Sequence, residues 1–128
     1  MNSQPENFQK HKPFDFEERL VEFASDCATF AVGLFGSATG DYYGNQLLRS
    51  SGASALNYGE AQGTNTDKDF VSKASIVRKE LKESRINLKI SLRLFEEKSQ
   101  SIIILKDECE ELIAIISSMI NNRKSNIK

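Results

Sequence analysis

Two sets of residues in this chain have the types and spacing to do chemistry. The first is a cationic series, Arg78, Lys82, Arg85, Lys89 and Arg93, separated by four, three, four and four residues. On a helix that spacing draws one stripe over about four turns. Such a stripe could track phosphates. No aromatic interleaves with it, so base stacking is not indicated. The competing reading is a solvated face paired with acids of a neighbouring helix. The second set lies in QLLRSSGASALNYGEA, Gln46 to Ala61, where Arg49, Asn57 and Glu60 stand among glycines and serines. Arg49 and Glu60 are ~16 Å apart along a helix, too far to pair with each other. Glu80 or Glu83 could meet Arg49, and Lys79 or Lys82 could meet Glu60, within a subunit or across an interface. Asn57 would hydrogen-bond near the same boundary.

Catalytic chemistry lacks residues. His11 is the sole histidine and sits in a polar segment, so histidine metal sites and histidine general bases are not expected. Carboxylates are plentiful (Glu80 and Glu83, Glu96 and Glu97, Asp107 to Glu111), but they read as solvated helix faces. No Glu-x-x-His pair offers a dimetal site, and no G-x-x-x-x-G-K-[ST] offers a phosphate loop. The serines have no partner base. The expectation is no enzyme, no catalytic or metal residue, no cofactor and no small-molecule substrate.

These residues need elements to position them. A chain of 128 residues suits one domain, and a net charge of −1 gives no overall pull toward nucleic acid or anionic membrane. Residues 1–13 are polar with two prolines and read as a flexible arm without an apolar leader. No apolar run is long enough to span a membrane. Residues 14–122 read as four helices, and 123–128 as a frayed tail. The first helix has Asp15 as N-cap with Glu18 at N3, a seam of Phe16, Leu20, Phe23, Cys27, Phe30 and Leu34, and Gly36 as C′. GSATGD is read as a loop, and the second helix as running from about Asp41 to Gln62. The third starts after Thr66, with Phe70, Ala74, Val77, Leu81, Ser84, Leu88 and Phe95 as its seam. The fourth starts near Ser101, with Ile102, Leu105, Cys109, Leu112, Ile116 and Met119. Cys27 and Cys109 fall inside these seams and read as small buried hydrophobes in a reducing cytoplasm. Short links make the prediction an all-α, up-down-up-down antiparallel four-helix bundle.

The second helix carries two non-polar faces. Leu47, Ser51, Ser54, Tyr58 and Ala61 share the core face, whereas Leu48, Gly52, Ala55 and Gly59 form another roughly 110° round. Another helix is expected to pass close to Gly52. Ile76, Ile86, Ile90 and Leu94 lie opposite the seam of the third helix, and Ile103, Ile113 and Ile120 widen that of the fourth. Thick seams in a monomer would account for this, and so would a second buried surface between subunits, which is the favoured reading. Arg49, Gly52, Asn57, Gly59, Glu60, Ile86 and Ile90 are its candidate residues.

Several short stretches then carry a family resemblance: Q-L-L-R-S at Gln46–Ser50, A-x-N-Y-x-E-A at Ala55–Ala61, D-F at Asp69–Phe70, K-E-x-x-E-S at Lys79–Ser84 and, with one residue of slack, F-x-x-E-R-L at Phe14–Leu20. Together they resemble the bacterial four-helix bundle proteins related to the protein encoded by intervening sequences of large-subunit ribosomal RNA genes. The accessory protein of diversity-generating retroelements belongs to the same superfamily. The resemblance spans roughly residues 14–122 and implies a ring-shaped homopentamer, with nucleic acid or ribonucleoprotein association as its role. The accessory-protein branch is strongly basic, and this chain is not. A non-enzymatic cytoplasmic assembly scaffold is therefore the first functional expectation, with itself as partner and a protein or RNA as a further one. A nucleic-acid module using the cationic stripe is the alternative.

Overall fold

A computed structural model describes residues 15–127, so the predicted arm at 1–13 lies outside the described residues. Four helices account for most of the rest: α1 (Phe16–Val32), α2 (Ala38–Gln62), α3 (Asp67–Leu94) and α4 (Ser99–Lys124), with a 3-10 turn at Glu96–Lys98. No strand occurs among the described residues.

Side-chain caps set three of the four starts. Asp15 Oδ1 accepts the Glu18 amide at 3.1 Å, Ser37 Oγ that of Gly40 at 3.0 Å, and Thr66 Oγ1 that of Asp69 at 3.0 Å. Each satisfies an otherwise orphaned donor, a contribution of about 1 kcal/mol. The Ser37 cap corrects the expected loop at GSATGD: α2 begins at Ala38, three residues before Asp41. Gly36 does not close α1 either. Gly33 is its C-cap, and Gly36 takes φ of 126°, a left-handed value that favours glycine, in the turn leading to Ser37. At the other end α4 continues through Arg123 to Lys124, where a frayed tail was expected.

α2 packs on α1 and α3, and α4 packs on α3 and α1, while the backbones of α1 and α3 do not approach each other closely. The cross-section therefore has α1 and α3 at opposite corners. Partners on α2 and α3 are numbered in opposite senses: Tyr43 with Asn87, Ser50 with Ser84, Glu60 with Lys73. The core holds the predicted seams, including Leu20, Phe23, Leu47, Leu81, Leu88, Ile102, Leu112 and Ile116, all fully buried. Burying such a side chain contributes about 1.5–3 kcal/mol.

The seams drift at their ends. Ala31 replaces the half-buried Phe30 in the core, Ser91 is buried where Phe95 was expected, and Ile120 takes the place of Met119. An α-helix gains about 20° per heptad on a strict seven-residue repeat, so extrapolated seam positions rotate out of the core over a long helix. Ile113 and Ile120, read from sequence as widening the seam of the fourth helix, are core residues, whereas Ile103 is exposed.

Candidate interaction surface

The α2–α3 contact is built from small polar side chains. Ser50, Ser51, Ser54, Ser84 and Ser91 are all buried. Ser50 and Ser84 share a 2.7 Å hydrogen bond across the helices, while Ser51 donates to the Leu47 carbonyl and Ser54 to that of Ser51. Satisfied this way, a buried hydroxyl escapes most of its desolvation cost. Small volumes at the contact also permit a short interaxial distance. The serines of the 46–61 stretch are thus buried residues of α2, and Ser50 is the one that bonds across to α3.

Arg49 stands at the edge of that seam. Its guanidinium donates to Glu80 at 3.2 Å and also to Glu83, both within the same chain, as the sequence reading allowed. Burial pulls the Arg49 pKa down, but the hydrogen bond to Glu83 and the charge of Glu80 outweigh it and leave it raised. The Arg49 side chain is 50% exposed and that of Glu80 only 11%. Glu80, read from sequence as part of a solvated face, is therefore buried, and Arg49 is the cation that compensates it.

The other members of the second set separate. Glu60 pairs with Lys73 at 2.6 Å, not with Lys79 or Lys82, because Lys73 is nearer the level of Glu60 at that end of the bundle. Asn57 donates to the Ala53 carbonyl of its own helix at 2.9 Å, so it joins no network with Arg49. Gly52 and Gly59 have open space where a Cβ would stand. The close helix approach expected at Gly52 does not occur within the chain. The close approaches on α2 are at Gly40, where a Cβ would collide with the Leu34 backbone, and at Gly44, where it would meet Phe35 and the Ala31 carbonyl.

The cationic stripe also divides. Arg78 is half-buried and donates to Ser117 Oγ on α4 at 3.5 Å. Arg85 is half-buried as well, and its Nε is buried with no hydrogen-bond partner among the described residues. Lys82, Lys89 and Arg93 are exposed and form no ion pair among the described residues. They share the outer side of α3 with Ile76, Ile86, Ile90 and Leu94, all exposed. A groove of about 660 Å³ runs along this side, lined by Tyr42, Tyr43, Lys79, Lys82, Ile86 and Ile90 among others. Tyr42 and Tyr43 meet edge to face at 4.9 Å, and Asn87 fixes the Tyr43 carbonyl at 3.0 Å. Sequence reasoning missed the tyrosines because it placed them at the uncertain start of the second helix.

Two further clusters went unread. Arg19 binds Glu108 at 2.7 Å and Glu111 at 2.9 Å across α1 and α4. The hydrogen bond that Arg19 donates to Glu108 raises the Arg19 pKa despite partial burial. Arg123 lies 3.9 Å over the Phe70 ring and bonds Asp67 at 2.9 Å, which ties down the end of α4. Neither pair is close in sequence, so no local spacing marks it. Among the described residues no group of His, Cys, Asp or Glu could hold a metal ion, and no helix is long and apolar enough to cross a membrane.

No protein-family model and no curated protein matches the chain. Its fold is similar to that of a Bacteroides thetaiotaomicron protein of unknown function from the S23 ribosomal protein family, known from a crystal structure. The superposition has a TM-score of 0.76 and covers 82% of this chain and 97% of that one, at 22% identity. At that identity the likeness is one of fold.

Proposed function

We propose that this protein is a non-enzymatic, self-assembling helical scaffold: an up-down-up-down bundle whose copies close into a ring, five being the number the motif resemblance implies. The observation that carries this reading is the outward apolar ridge of α3. Ile86 is 48% exposed and Leu94 47%, with Ile76 and Ile90 on the same helix. Covering the exposed half of each is worth about 1 kcal/mol. Exposed Leu48 and the open positions at Gly52 and Gly59 add a surface on α2 on which a neighbour's backbone could lie closely. A reducing cytoplasm suits the two buried free thiols. In sedimentation velocity at micromolar concentration the chain should run as a species several times its 14.4 kDa monomer mass. A monomer under those conditions ends the reading.

A second reading has its own observation. Lys82, Lys89 and Arg93 are cations without an intramolecular acid partner among the described residues. They could contact nucleic-acid phosphates, and the ribosomal family of the structural neighbour is consistent with that. Binding to a generic single-stranded RNA should then weaken with salt at a log–log slope of roughly −2 for three contacts. Absence of salt-dependent binding would remove this alternative.

A further inference from the structure

Charge is shared unevenly among the helices. α3 carries eight basic and four acidic side chains, and from Ser84 to Leu94 it carries no acid. α1 carries four acidic and one basic. Glu22 and Asp26 among the acids have interactions of their own, and the exposed Glu17 and Glu18 are the acids the corner presents. Arg19 is held by Glu108 and Glu111 of α4. α1 and α3 occupy opposite corners of the bundle, with no close approach of their backbones. The molecule thus has a cationic, isoleucine-bearing corner and an acidic corner on opposite sides. Exposed on the first are Lys82, Ile86, Lys89, Ile90 and Arg93, and on the second Glu17, Glu18, Val21 and Val32.

We propose that copies of this chain associate heterologously: the Lys82–Arg93 ridge of α3 in one copy seats on the outer face of α1, Glu17 to Val32, in the next. The proposal rests on the self-assembly reading above and names the surface it uses. A twofold contact through α3 would set Lys82, Lys89 and Arg93 against their own equivalents, and like charges across an interface repel. The α1 face supplies the opposite charge and places Val21 and Val32 where Ile86 and Ile90 need apolar cover. α4 also presents apolar residues outward, Ile103 and Ile104, but there Lys106 lies 3.4 Å from Asp107 and 3.6 Å from Glu110. Those acids are already countered. Because donor and acceptor surfaces lie on opposite corners, each added copy leaves a free surface at either end, and only closure into a ring or growth of a filament satisfies all of them.

Cysteine cross-linking tests the geometry. Cys27 and Cys109 are buried, so the wild-type chain serves as the blank for a short bismaleimide. A chain carrying both Val21→Cys and Ile90→Cys should give a ladder of cross-linked multimers, because opposite corners preclude linkage within one bundle. Neither single variant should cross-link. Dimers from Ile90→Cys alone would establish a twofold α3 contact and overturn the proposal. An assembled wild-type protein whose double-cysteine variant gives no ladder would overturn this geometry while leaving self-assembly standing. A monomeric wild type would overturn both. Charge reversal provides an independent arm, with helicity by circular dichroism as the folding control. Lys82→Glu, Lys89→Glu and Arg93→Glu together should weaken assembly roughly tenfold or more. Adding Glu17→Lys and Glu18→Lys to the same chain should restore it. Assembly that is unchanged by the α3 reversal counts against the proposal.

Discussion

At the scale of single residues, the decisive fact is that Glu80 is buried and its cation is not. A half-exposed arginine in a surface pair contributes at most about 1 kcal/mol, whereas a carboxylate stranded in the interior costs about 3–5 kcal/mol. With Arg49 50% exposed and the Glu80 side chain at 11%, the pair lies between these limits. Arg49→Ala should destabilise the fold by about 2 kcal/mol, and Glu83→Ala, at the exposed end of the same cluster, by less than about 0.5 kcal/mol. Urea unfolding of the two variants checks this, and equal losses would show that Glu80 does not depend on Arg49. The thiols make a pH-dependent contribution. Burial pushes Cys109 up to about 12 and Cys27 higher still, from an ordinary value of 9.0. The unfolded thiols ionise first, so this contribution is fully present below pH 9 and is lost as pH rises from 9 toward 12. The melting temperature should therefore fall above pH 9. In a Cys27→Ala, Cys109→Ala chain, which still contains Tyr58, it should fall less steeply. Parallel profiles for the two chains would exclude the thiols as the cause.

At the scale of elements, α2 separates two uses of glycine that look alike in sequence. Gly40 is buried in the first turn, and a side chain there would meet the Leu34 backbone, which cannot swing aside. Gly52 has nothing within 4 Å of the added atom. Gly40→Ala should cost roughly 3 kcal/mol through overpacking. Gly52→Ala should raise the stability of the isolated bundle by about 0.5–1 kcal/mol, from helix propensity alone. Chemical denaturation of both, at concentrations low enough to disfavour association, measures the contrast. A loss at Gly52 under those conditions would reveal an intramolecular contact that the fold does not contain. The serines of the same helix behave differently from its glycines: all three are buried, Ser50 bonds across to Ser84 of α3, and Ser51 and Ser54 satisfy their hydroxyls on carbonyls of α2 itself.

At the scale of the whole molecule, connectivity turns an uneven charge distribution into a direction. The chain order places α1 and α3 on one diagonal, and the acids of the first and the cations of the third thereby become opposite corners. With a net charge of −1 the molecule as a whole neither attracts nor repels its copies strongly, so association depends on how the corners match. This is also why overall charge is a weak guide to nucleic-acid binding here: three exposed cations on one ridge act locally whatever the total.

The sequence by itself determined the helices, most of their caps and the greater part of the core. Apolar residues at intervals of three and four can be buried together only on one side of a helix, and Asp15 and Thr66 announce the helix starts through local hydrogen bonds. It also marked Arg49 as needing an acid and offered the right two. Only the tertiary structure decided the rest. The start of α2 at Ala38 rests on the local Ser37 cap, but the room for it depends on Gly40, where any side chain would meet the Leu34 backbone of the preceding turn. The burial of Glu80, the partner of Glu60 and the division of the cationic stripe depend on how far each helix is rotated toward its neighbours. A helical wheel lists which residues share a face, but whether that face meets a neighbour or water is settled when the helices pack.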